Sequence, residues 1–204
     1  MAEFGASSVR ARANAAALDR IAARLDGVSE AKIAAADKRA LATVRRRVEP
    51  IVKRAIREVY SVPVRELSGK FQVRTTSDGA GEGLELFAAT KRVPLVEFNA
   101  RWSGRKSAGA RASILRGKSK IYKSAFIATV GGRPEVVARQ FSADSNSPSG
   151  RHPRSHLQRL RGPSPLEMTK GLDGQNVVRI GDEIVRFAAT ERARQLQMAR
   201  KGKI

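Results

Sequence analysis

Between positions 41 and 59 the apolar residues return every three or four places. Leu41, Val44, Val48, Ile51, Val52, Ala55 and Val59 fall on one face of a helix at that spacing. The pattern predicts a long helix from Ser29-Glu30 to about Tyr60, with Ser29 as its cap. Pro50 lies inside it and predicts a kink, or a division at Glu49, because proline cannot donate to the carbonyl four residues back. Upstream, "SVRARANAAALDRIAARLD" (8–26) reads as a first, Ala-rich helix that stops at Gly27. The Ala-rich stretch 31–42 suits close helix packing, including a seam between copies.

Near residue 62 the period changes from helical to alternating. "KFQVRTT" (70–76), "GLELFAA" (83–89), "VPLVEF" (93–98), "ARASIL" (110–115), "SAFIATV" (124–130) and "EVVARQF" (135–141) are short, rich in β-branched and aromatic residues, and separated by turn residues. They predict an antiparallel sheet, since short links suit antiparallel neighbours. Residues 142–155 read as a polar loop. "SPLEMTKGL" predicts a short helix capped by Ser164, with Pro165 in its first turn. Helical spacing returns from Gln175 to Arg200. Segregated helices and strands give an α+β fold: long N-terminal helices packed on a small antiparallel β-sheet, with a C-terminal helix. The divisions are an N-terminal helical region (1–62), a β core with a basic hairpin and short helix (63–172), and the C-terminal helix (173–204). The 41–59 face is expected to pack on a sheet that includes 70–76, 93–98 and 124–130.

Composition adds a charge problem to this picture. The 204 residues include 40 Lys+Arg and 19 Asp+Glu, a net charge of +21. The middle division carries +12 of that, from 20 basic and 8 acidic residues. Such a field attracts nucleic acid, anionic membrane or acidic protein. There is no cysteine, which excludes disulfides and thiolate metal sites and suits a reducing compartment. No apolar run approaches the ~18 residues of a membrane span, and "MAEFGASSVRAR" lacks the apolar segment of a secretory signal.

Candidate chemistry is thin. His152 and His156 are four apart, but Pro153 argues against a shared helix face, so both read as loop or surface residues. Glu135 and Asp144 are isolated acids. Asp182 and Glu183 are adjacent and would not face each other on a helix. Metalloprotease, P-loop and dinucleotide-binding motifs are absent. No catalytic, cofactor-binding or metal site is therefore expected. The run 101–123 is different: it holds Arg101, Arg105, Lys106, Arg111, Arg116, Lys118, Lys120 and Lys123 and no acid, framed by Trp102 and Tyr122. Cations interleaved with aromatics can follow a phosphate backbone and stack bases; a solvated, turn-rich hairpin is the plainer alternative. Arg151, Arg154, Arg159 and Arg161 form a second basic group in "RHPRSHLQRLRGPSPLEM" (151–168).

The order of these segments carries a resemblance. "VYSVPVRELSGKFQVR" closes the long helix; "VPLVEFNAR", the basic hairpin, "SAFIATVGGRPEVVARQ" and "LQRLRGPSPLEMTKGL" follow. Across roughly residues 31–172 this resembles the prophage minor tail protein Z family of tailed bacteriophages, in the order and spacing of several segments. The resemblance implies a structural virion protein, not an enzyme, needed for tail completion and head–tail joining. It implies no cofactor. It implies a ring of copies, of hexameric order, around the DNA channel at or near the head-proximal end of the tail (the neck). Neighbouring tail-tube, tail-terminator or connector proteins would be its partners, with possible nonspecific contact to genomic DNA and none to membrane. Its location would be the virion, and the host cytoplasm during assembly. Two other readings stay open: a tail protein nearer the tip or against the tape measure, and a stand-alone, nonspecific nucleic-acid-binding protein.

Overall fold

The computed structural model describes residues 4–5, 27–78, 81–103, 109–140, 156–171 and 173–203. The expected helix 8–26 and the polar loop 142–155, with Asp144 and His152, lie outside them. Helix α1 is Glu30–Val59, a 30-residue element. A single turn, α2 (Val64–Leu67), leads into strands β2 (Phe71–Asp78) and β3 (Gly81–Ala89), to which β1 (Phe4–Gly5) adds at the edge. Strands β4 (Arg101–Trp102), β5 (Ala110–Ala112) and β6 (Lys120–Tyr122) form a second sheet. Strands β7 (Ala125–Val130), β8 (Arg133–Gln140) and β9 (His156–Arg159) form a third. Helices α3 (Pro165–Lys170) and α4 (Gln175–Arg200) close the chain. The architecture is α+β, with three small antiparallel sheets in place of the one expected.

Helix α1 buries Ile33, Ala36, Ala40, Val44, Val48, Ile51, Val52, Ala55 and Ile56. Leu41 and Val59 are only half-buried. The expected sheet is one cover of this stripe and α4 is the other. Val44 to Ile56 enter a core with Phe71, Leu86, Ala125, Val136, Met168 and Ile180, drawn from two sheets and both closing helices. The two long helices run antiparallel, since Asp37 pairs with Arg192, Arg54 with Glu183 and Glu58 with Arg179. At the far end of the pair, Ile33 and Ala36 meet Leu196 and Ala199 in a separate apolar cluster.

A polar layer lies near that end. The Glu191 carboxylate is 9% exposed and accepts two bonds from Arg194, 2.7 and 2.9 Å long, and one of 2.8 Å from Gln195 Nε2. The Arg194 bonds, and then that of Gln195, outweigh desolvation and hold the Glu191 carboxyl below its ordinary range.

Three expectations are corrected. Pro50 does not divide α1. It is exposed, as is Arg46, whose carbonyl the proline cannot serve, so water can replace the missing bond while buried neighbours hold the helix. Ser29 stands at the cap position but makes no side-chain cap; its carbonyl accepts from Lys32 and Ile33 instead. Residues 93–98 are not a strand. Val93 and Leu95 bond to Pro163 and Leu160 as a short bridge, and the chain then turns through a 3-10 segment, Leu95–Glu97. Pro94 has no N–H to extend a ladder, and the turn places both Leu95 and Phe98 at 0% exposure. Gly162 is fixed by this packing: a Cβ there would lie 2.3 Å from Phe98 Cε2.

Two expected outcomes follow. Val52→Asp places an unpaired carboxylate at a site of 0% exposure and should cost about 3 kcal/mol or more. Leu41→Asp, on the half-buried margin, should cost about 1 kcal/mol or less; denaturant melts of the two variants check the difference. Because the folded-state pKa of Glu191 is depressed, its stabilisation is present above the ordinary value of 4.5 and is lost as pH falls through the folded value. Glu191→Gln should therefore lower the melting temperature at neutral pH and converge with the parent at acid pH.

Candidate polyanion interface

The basic run folds into the β4–β5–β6 sheet, and three hydrogen bonds dock it to the core. Ser113 N–H donates to the Phe98 carbonyl, Ser61 N–H to that of Ile114, and Arg116 N–H to that of Val59 at the end of α1, each at 2.9 Å. Ala110 and Ala112 are buried beneath the sheet. Gly109 opens β5 at φ +86°, and a Cβ there would lie 2.1 Å from the Tyr122 carbonyl oxygen, so only glycine fits.

Register decides what the surface presents. Arg101 pairs with Arg111, and Arg111 with Ile121. Directly paired residues share a face, so Arg101, Arg111 and Ile121 form one row, all exposed. Trp102, Ala110 and Tyr122 form the opposite row, whose central residue is at 0% exposure. Alternation along the strands sends Arg101 and Arg111 to one face and the rings to the other, so cation and ring meet only where Lys120 shares the ring face. Lys120 Nζ sits 5.5 Å from the Tyr122 ring centre, on the ring's face. Burial raises the Tyr122 phenol pKa, so it stays neutral at physiological pH and supplies no counter-charge. Arg116 and Lys118 lie in the turn at one end of the sheet, and Lys123 follows β6 at the other. Arg105 and Lys106 lie outside the described residues.

None of Arg101, Arg111, Arg116, Lys118, Lys120 and Lys123 forms an ion pair among the described residues. Several of the described acids are paired elsewhere. Glu97 takes Arg65 at 2.6 Å, and Glu49 takes Lys53 at 2.6 Å. Glu167 takes Arg92 at 3.2 Å and also completes a capping box with Ser164, which caps α3 as expected.

Of the second basic group, Arg159 and Arg161 make contacts within the chain. Arg159 is bound by Glu135 at 3.3 Å across β8 and β9, so neither residue is isolated. Arg161 donates to the Arg92 carbonyl at 3.4 Å. Arg151 and Arg154 lie outside the described residues. Sequence reading missed Ile121 as the third member of the outer row; the alternation in "KIYK" carried that signal. It also missed Arg74, which lies 4.9 Å from the Phe87 ring centre.

Elsewhere, one shallow depression runs along α4 and is lined by Gln175, Val178, Arg179, Asp182, Glu183 and Arg186. Arg179 and Glu183 are already committed to Glu58 and Arg54 of α1. No described group of three or more His, Asp or Glu side chains could hold a metal, and no described helix is long and apolar enough to cross a membrane.

Like charges placed directly opposite on a sheet destabilise it. Arg111→Thr should therefore raise the melting temperature by about 1–3 °C at low salt. The gain should shrink at high salt, where the repulsion is screened; calorimetry at two ionic strengths checks it.

No family model matches the chain, nor does any curated protein or solved structure.

Proposed function

We propose that the chain is a structural protein of a tailed bacteriophage: a minor tail protein that acts in tail completion. It forms a ring with copies of itself at or near the head-proximal end of the tail. There it bears on neighbouring tail or connector proteins around the DNA channel and has no catalytic role. The order of segments along residues 31–172 supports this reading.

The observation that carries it is a surface left unfinished within the chain. The Arg101–Arg111 row has no counter-charge among the described residues, and Trp102, Leu157 and Val178 stand 45%, 55% and 63% exposed. Large apolar side chains and unpaired cations on one small protein suit contact with neighbours on several sides. The same row also favours a stand-alone nucleic-acid-binding protein, which would need no ring.

The test removes the coding sequence from the phage that carries it and examines the particles. Headless tails or unjoined heads are expected, with joining restored by the chain supplied in trans. In normal particles, electron microscopy of a tagged chain should place it at the head-proximal end. Normal joining without the chain, and its absence from purified particles by mass spectrometry, would overturn the proposal.

A further inference from the structure

We infer that the outer face of the β4–β5–β6 sheet docks the phosphate backbone of duplex nucleic acid, independently of base sequence. The inference goes beyond the virion reading and rests on the sheet alone.

The geometry begins with Arg101 and Arg111. Two residues along the ladder, Ser103 N–H donates to the Gly109 carbonyl at 3.3 Å. That places Arg101 and Arg111 in the hydrogen-bonded class of pair, with Cα atoms about 5.5 Å apart. Their guanidinium groups leave the same face, both exposed. Two planar forks so close can grip one phosphate together or two in succession. Arg116 and Lys118 at one end, and Lys123 at the other, extend the positive field beyond the row.

The composition of the face selects among polyanions. A single strand would want rings on which to stack its bases, but Trp102 and Tyr122 belong to the opposite row, and Lys120 already covers Tyr122. The outer row is Arg, Arg and Ile, so it offers no amide or carboxylate to read adenine or cytosine edges. Arginine can also read guanine edges, so phosphate contact is distinguished by the absence of a sequence preference. An acidic protein is the other candidate, but protein interfaces exclude lysine from their cores and gather aromatics there. Surfaces that meet DNA are far more positive. Here Ile121 is the one apolar member of the row.

The test measures fluorescence anisotropy of the full chain with a labelled mixed-sequence duplex of about 30 base pairs, between about 50 and 300 mM salt. Arg101→Glu with Arg111→Glu should weaken binding about tenfold or more and reduce the log–log salt slope by about two. Lys201→Glu with Lys203→Glu changes net charge equally at the exposed end of α4 and should change the affinity less than about threefold. If the Glu variant does not fold, Arg101→Ser with Arg111→Thr removes the same two contacts and should show the same loss of slope. Equal loss in both charge-matched variants, or no loss in the first, overturns the inference. So does polyglutamate of matched charge that competes better than duplex, which would give the face to an acidic protein. A preference of more than about tenfold among unrelated sequences also overturns it.

Discussion

One apolar stripe on α1, from Ile33 to Ile56, has to be covered along its whole length. The stripe spans roughly 35 Å of helix, more than any one of the small sheets can hide. Helix α4 therefore runs back along it, while the first and third sheets close on its C-terminal half. Each Val or Ile removed from water contributes about 1.5–3 kcal/mol, so this cover sets where the remaining elements can sit. The basic sheet hangs from the end of the stripe, tied to the last carbonyl of α1 and to the Phe98 carbonyl beside it.

The same arrangement settles where charge is balanced. Acids appear where helices cross and where strands register, so their partners are cations on neighbouring elements: Arg192, Arg54 and Arg179 along the helix seam, Arg159 in the third sheet. The β4–β5–β6 sheet is short, and no acid lies between residues 101 and 123. Among the described residues no acid pairs with its cations. Two arginines in direct opposition work against the sheet's own stability, and it is on this pair that contact with an anion is proposed.

Much of the fold was legible in the residues. The start and end of α4 follow from its apolar spacing, and the start of α3 follows from Ser164 and Pro165. The buried face of α1 was visible from Val44 to Ala55. What was not legible depends on partners distant in sequence. Pro50 is tolerated because it lies on the exposed side of a helix whose opposite side is buried. Residues 93–98 have strand composition, but Pro94 and the packing of Leu95 and Phe98 turn them into a bridge and a 3-10 segment. The division into three sheets reflects pairings that no local pattern specifies. For the site, the cations were visible and their pairing was not. Arg159 is neutralised by Glu135, 24 residues away, whereas Arg101 and Arg111 are brought together across a loop whose length does not fix their register.

The central claim is that the arginines divide into those used within the chain and those held for an anion. Nuclear magnetic resonance of the Arg Nε–Hε groups, followed as duplex DNA is added, tests that division directly. Arg101 and Arg111 should shift and saturate together, while Arg159 and Arg194, held by Glu135 and Glu191, should stay nearly still. Equal movement of all four, or movement of Arg159 and Arg194 alone, would contradict the account.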